Sequence, residues 1–405
     1  MSDTQVRELM AIALWGTPAD TKSGTYVSSG DVRRDWQRVL DEISAQLKNA
    51  DLREHAQLCH RLGHMALITG NVRMKAKEAF TLMVEDARAL GDKVLEGLAL
   101  HGLAKVYDLI GQRLLSLECA EQAQQLAEET NDRRLLALAL HVQAQFHKET
   151  GDNRLAYDLW ERIETIGHEL NDEGLIMGGL VGKGCASSMA EAFAAMSYHE
   201  QAIEMAKSQN DARMLAICYN NLADWKINTG AYEEAQVLRE QSLAIFRSIG
   251  SRLGVGRALI GLAKAETILG NLERARELLD QGVPMALSAG DVEGDLHSSL
   301  NLAYLYLAAG EIARAAQLYR EVLDRSLAAP DHACSLFAQR ALNLIADGKR
   351  PTPGILPLVP ITRELLMNLE NGLTPDELTE EELEFVIGGG LNYTFGTNHI
   401  SDFVM

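Results

Sequence analysis

The chain is poor in the residues that interrupt or brace a fold. It has eight prolines in 405 residues, and four of them crowd into KRPTPGILPLVP (349–360), so most of the chain is free to run as helix. Its five cysteines, Cys59, Cys119, Cys185, Cys218 and Cys334, are odd in number and contain no CxxC pair. That excludes a disulfide framework and the usual zinc-finger spacing, and it reads as reduced core cysteine. Basic residues are outnumbered, 38 Lys and Arg against 57 Asp and Glu for a net charge of −19, which excludes nonspecific nucleic-acid binding because phosphate neutralisation needs a basic surface. No apolar run approaches the roughly 18 residues of a membrane span. MSDTQVRELMAIALW also lacks the basic start and small-residue cleavage site of a secretory signal. No membrane insertion is expected, and the body of the protein is expected to be cytoplasmic.

Catalytic signatures are missing as well. The chain has no G-x-S-x-G, no HExxH and no glycine-rich loop between strand and helix. No enzymatic activity and no cofactor are expected. His60 and His64 stand one helical turn apart with His55 nearby, but no carboxylate or cysteine completes a ligand set in sequence, so no metal is expected either. Gly182-Lys183-Gly184 has the wrong spacing for a phosphate loop and is followed by no Ser or Thr.

What is present is a beat. Small residues fall at Gly70, Gly111, Gly151, Ala190, Gly230, Gly270 and Gly310, with strides of 41, 40, 39, 40, 40 and 40. Half-way between them lie Gly91, Asn131, Asn171, Asn210, Gly250 and Gly290. Gly and Asn tolerate the left-handed conformation that ends a helix, and a stop every twenty residues or so predicts antiparallel helix pairs. Counting each small residue of the first series as position 15, position 8 reads Gly63, Ala104, Ala144, Lys183, Ala223, Ala263 and Ala303. Five residues past the turn come Ser116, Ala156, Ala195, Ala235, Ala275 and Ala315, with Ala76 one place late. Small side chains at both places let paired helices approach closely while larger neighbours fill the core. The fourth pair is weakest, because GGLVGKGCASSMA (178–190) puts four glycines and two serines in its first helix; close packing or a hinge is the reading there.

This pattern resembles the tetratricopeptide repeat, on segments such as NNLADWKINTGAYEEAQ, NLAYLYLAAGEIARAAQLY and GLAKVYDLIGQ. The resemblance implies an all-α, right-handed α-solenoid of about seven helix hairpins. Residues 1–49 form N-terminal capping helices, 50–330 the array and 331–348 a C-terminal capping helix. The first helix of each pair then lines a concave groove for a protein or peptide ligand. Carried onto this chain, position 5 supplies His60, His101, His141 and Asn220, and position 9 supplies His64, Lys105, Gln145, Asp224, Lys264 and Tyr304. Position 6 adds Asn221 and Asn301. Two readings stay open: solvated polar residues without a ligand, or Asn and Gln gripping a peptide backbone while His and Lys meet acidic groups.

The end of the chain breaks the beat. A proline-rich linker (349–372) leads to LTPDELTEEELEFVIGG (373–389), in which Thr374, Pro375 and Glu377 make a helix start with a capping box. Leu378, Leu383 and Val386 lie apolar on an acidic helix that stops at Gly388-Gly389. This segment resembles the double-glycine leader of bacterial bacteriocins and of ribosomally made, modified peptides. The resemblance implies leader recognition through Leu378, Leu383 and Val386, and cleavage after Gly388-Gly389 by a double-glycine peptidase or exporter. GLNYTFGTNHISDFVM (390–405) would be released and secreted, or altered by a peptide-modifying enzyme. The alternative is a regulatory adaptor or peptide receptor whose flexible C-terminal tail regulates itself.

Overall fold

The computed structural model describes residues 50–69, 73–110, 112–150, 152–288 and 310–328, with short pieces at 45–47 and within 299–307 and 338–348. Gly70, Gly111, Gly151, Gly290, Asn301, Tyr304, most of both expected caps, the proline-rich linker and the tail lie outside the described residues. Among the described residues every regular element is helical. In chain order they are α1 (Leu52–Thr69), α2 (Arg73–Leu90), α3 (Lys93–Leu109), α4 (Arg113–Thr130), α5 (Arg133–Glu149), α6 (Asn153–Leu170), α7 (Glu173–Ala186), α8 (Ala192–Gln209), α9 (Ala212–Asn228), α10 (Tyr232–Ser248), α11 (Arg252–Ile268), α12 (Leu272–Ser288) and α13 (Ile312–Ala328). A 3₁₀ turn at Met189–Glu191, where the beat carries Ala190 in place of glycine, precedes α8. The helices form two compact units. Of the described residues, one takes in those up to Phe146 and Asp158–Gly179; the other takes in His147–Tyr157 and those from Leu180.

Local chemistry explains the beat. The turn between hairpins is two residues long and serves two helices at once. At Gly91-Asp92 the Gly91 N–H donates to Arg88 O and the Asp92 N–H to Ala87 O, which is the Schellman closure of α2. Asp92 then accepts from Leu95 N at 3.1 Å and caps α3. The arrangement recurs at Asn131-Asp132 and Asn171-Asp172, and at Asn210-Asp211 and Gly250-Ser251. The turn inside a hairpin closes in the same way at Gly230, Gly270 and Gly310, but at Ala231 no side chain caps the following helix.

The two kinds of turn differ in backbone angle. Between hairpins φ is 54°, 51° and 55° at the three asparagines and 67° and 69° at Gly91 and Gly250; inside hairpins it is 83°, 83° and 79° at Gly230, Gly270 and Gly310. The left-handed well accessible to an L side chain centres near 57°. Asparagine therefore serves between hairpins, and the turns at Gly230, Gly270 and Gly310 call for glycine.

The small-residue columns pack as their spacing predicts. Ala76, Ala156, Ala195, Ala235, Ala275 and Ala315 are fully buried, as are Ala104, Ala144, Ala223 and Ala303. The gaps they leave are filled from the second helices. Four residues past each small second-helix position stand Phe80, Ala120, Trp160, His199, Arg239, Leu279 and Tyr319, none more than 2% exposed. In the first unit the Phe80 ring lies where side chains at both Gly63 and Gly102 would otherwise be. In the second unit Gly184 gives way to His199 and Gly261 to Arg239, so the glycine of the weak fourth pair serves close packing.

The angle difference is testable. Gly250→Asn should leave stability within about 0.5 kcal/mol of wild type, whereas Gly270→Asn should cost about 1 kcal/mol or more. Paired denaturant titrations check this, and equal costs at the two sites would contradict the account.

Candidate functional site

The residues expected to line a groove separate by position. In the first unit, α1, α3 and α5 bring His60 and His64, His101 and Lys105, and His141 and Gln145 onto corresponding helical places. His64, His101 and His141 are buried, at 3%, 4% and 3% exposure, while His60, Lys105 and Gln145 are half-buried. The cause is the second-helix column. His64 stands edge-on to Phe80 with ring centroids 5.2 Å apart, and His141 meets Trp160 in the same way at 5.0 Å. His60 and His64 share a hydrogen bond, Nε2 to Nε2, at 3.0 Å.

This burial sets their charge. Desolvation first, and then the positive Arg61 and Lys105, push His60 down to about 4. Burial holds His64 and His101 well below the ordinary imidazole range, with Lys105 adding to the effect. These three rings are neutral near pH 7, so they exchange hydrogen bonds and do not attract acidic groups as cations. Within this row the positive charge comes from Lys105.

In the second unit α9 presents Asn220, Asn221 and Asp224, and all three are buried. Arg239 of α10 explains why. Its guanidinium, fully enclosed, donates from Nη1 to Asn220 Oδ1 and from Nη2 to Asp224 at 2.5 Å. A buried arginine needs a carboxylate and further acceptors to offset its desolvation, and the first helix supplies them. Asn221 Nδ2 donates to Cys185 Sγ at 3.5 Å. Lys264 on α11 is half-buried.

Sequence reasoning missed Arg239, although a signal existed: it occupies the same forty-residue column as Phe80 and Trp160. It also missed an aromatic and cationic cluster in the second unit. There Tyr157 and Tyr198 share a hydroxyl hydrogen bond at 2.7 Å, and Lys183 Nζ lies 4.3 Å above the Tyr198 ring. Lys183 sits inside α7, as expected of a residue that is no phosphate loop. Tyr157 and Arg154 border a small cavity with Asn153, Ala186, Ser188 and Glu191.

Residues 214–288 and 296–329 each match a family model described as tetratricopeptide repeat. No curated protein matches the chain by sequence. Among solved structures, the Rap protein complexed with competence and sporulation factor aligns with a TM-score of 0.57 at 15% identity, over 85% of this chain and 97% of that one. NprR in complex with its cognate peptide NprX gives 0.53 at 16%, over 86% and 98%. The apo form of RapI gives 0.51 at 14%, over 69% and 98%. The repeats at 214–288 and 296–329 match the tetratricopeptide repeat, and the described chain has an all-α fold of consecutive helix pairs like that of these structures. No described helix is long and apolar enough to cross a membrane.

The buried histidines predict an acid-sensitive fold. His199 is fully enclosed, burial pushes it down to about 3, and neither ring nitrogen has a hydrogen-bond partner among the described residues. Its folded value lies below the unfolded value near 6.5, so the unfolded chain binds the extra proton and stability is lost as pH falls below about 6.5. One such histidine costs about 2 kcal/mol by about pH 5. His199→Leu should reduce the drop in melting temperature between about pH 7 and about pH 5; an unchanged drop would show that His199 does not remain neutral in the fold.

Proposed function

We propose that the chain is a non-enzymatic scaffold that binds an extended peptide, or a peptide-like segment of a partner protein, along the first helices of its repeats. The observation that carries this reading is the half-buried row of His60, Lys105 and Gln145, backed by buried neutral histidines. It combines one cation with hydrogen-bonding groups that suit a peptide backbone and an acidic side chain. The fold likeness to NprR, which was solved with its cognate peptide, supports the same reading. Lys264 is the corresponding half-buried candidate in the second unit, and Asn301 and Tyr304 continue the set by register.

Fluorescence anisotropy with a labelled acidic peptide, LTPDELTEEELEFVI, tests it on the full chain. Lys105→Glu should weaken binding by about tenfold, or about 1.4 kcal/mol, and Gln145→Ala by less. Binding that is absent in wild type, or indifferent to both changes, would remove the acidic-peptide reading.

A second proposal concerns the tail, and the features that favour it are the Thr374–Glu377 capping box and the apolar register of Leu378, Leu383 and Val386 before Gly388-Gly389. In this reading the repeats carry a precursor peptide, holding its modifying enzyme or exporter while a double-glycine peptidase releases 390–405. Intact-mass measurement after co-production with such a peptidase should show loss of 390–405 from wild type and not from Gly389→Glu. An uncut wild-type tail would leave the adaptor reading, with the tail as a self-regulating end.

A further inference from the structure

We infer that His55, Cys59 and Asp86 form a binding site for a divalent metal ion of the zinc type, within the first hairpin and separate from the peptide-binding residues. His55 and Cys59 lie one turn apart on α1 and share a face. Asp86 comes from the last turns of α2, and the antiparallel pairing of the two helices brings its carboxylate over that face. The His55 Nδ1, Cys59 Sγ and Asp86 carboxylate oxygen all lie within 4.8 Å of one another. His55 Nδ1 stands 2.5 Å from Asp86 Oδ2 and 3.8 Å from Cys59 Sγ.

These spacings suit a small tetrahedral ion. Zinc binds sulfur at about 2.3 Å and nitrogen or oxygen at about 2.0–2.2 Å, which sets ligand atoms roughly 3.3–3.8 Å apart. The histidine–cysteine pair is already there. The histidine–aspartate pair is closer because a hydrogen bond now joins it, and it must open by roughly 1 Å to admit the ion. Exposure is graded across the three. The His55 side chain is 24% exposed and that of Asp86 12%, while Cys59 is fully buried. Solvent therefore reaches the carboxylate and imidazole side, where water can complete a fourth position.

The donor set selects the ion. One thiolate, one imidazole and one carboxylate favour zinc over magnesium or calcium, which take oxygen ligands. Charge balances as well. A divalent cation added to one thiolate and one carboxylate gives a neutral complex. The thiol proton leaves to solvent, and the proton that His55 shares with Asp86 moves to Nε2, so one proton is released per ion. Without a cation, burial and the neighbouring Asp86 and Glu78 push the Cys59 thiol up to about 12. A bare thiol there is inert, and the bound ion is what makes it a ligand.

The test uses the full chain, stripped with a chelator and titrated with cobalt(II) as the optical probe. One equivalent should produce a thiolate-to-cobalt charge-transfer absorption and the intense visible bands of tetrahedral cobalt, both abolished by added zinc. Cys59→Ser should remove the charge-transfer absorption. Because Cys59 lies in the core, circular dichroism must show that this variant folds, and Asp86→Asn and His55→Gln provide independent tests. Loss of a direct ligand should weaken cobalt binding by more than about 100-fold, the upper end for removing a merely supporting group. Absence of the absorption in wild type, or its persistence at full affinity in Asp86→Asn and His55→Gln, would overturn the assignment.

Discussion

One packing constraint organises each hairpin: two helices meet at small residues, and the second helix must place one side chain into the space beside that contact. The column from Phe80 to Tyr319 holds those side chains, all enclosed. Close-packed interiors leave little slack at such a place, so the first helix adapts to what the column carries. Phe80 takes the room that Gly63 and Gly102 leave and collects His60 and His64 around its ring. Trp160 draws in His141. Arg239 obliges Asn220 and Asp224 to turn inward, because a buried guanidinium left without its carboxylate is a defect worth several kcal/mol.

The recognition chemistry follows from this constraint. At position 5, His60 and His141 stand edge-on to Phe80 and Trp160, and burial keeps His101 neutral. At position 9, Lys105 and Gln145 stay half-buried, while His64 and Asp224 are pulled inward by Phe80 and Arg239. The same positions of a repeat thus act as core in one hairpin and as surface in another, and a side chain of the second helix decides which.

Much of the fold was legible in the sequence because it rests on local backbone chemistry. The Gly and Asn series marks helix ends through left-handed turns, and the alanine columns mark close approaches. The interiors of the candidate site were less legible, since their determinants lie between elements. Arg239 looks like an ordinary polar residue of a surface helix until α9 is folded against it, some fifteen to nineteen residues away in sequence. Asp86 stands 31 residues from His55, and only the pairing of α1 with α2 sets the two side by side. A ligand search confined to His60 and His64 had no means of finding Asp86, or of weighing Cys59 as more than core filler.

The polar interior also bears on why such residues are retained. Apolar side chains at Asn220, Asp224 and Arg239 would fill the same space without desolvating a charge pair, and replacements of that kind are often neutral or stabilising. In this unit Asn221 Oδ1, Asp224 Oδ2 and Arg239 Nε have no protein hydrogen-bond partner among the described residues, and each such atom costs about 1–3 kcal/mol when buried unmet. Stability alone does not account for that arrangement. Under the peptide-binding reading it has a purpose: hydrogen-bonding capacity held along α9, which a peptide backbone entering beside that helix can use. The same capacity discriminates, because a ligand that desolvates these groups without matching them loses the energy they were holding.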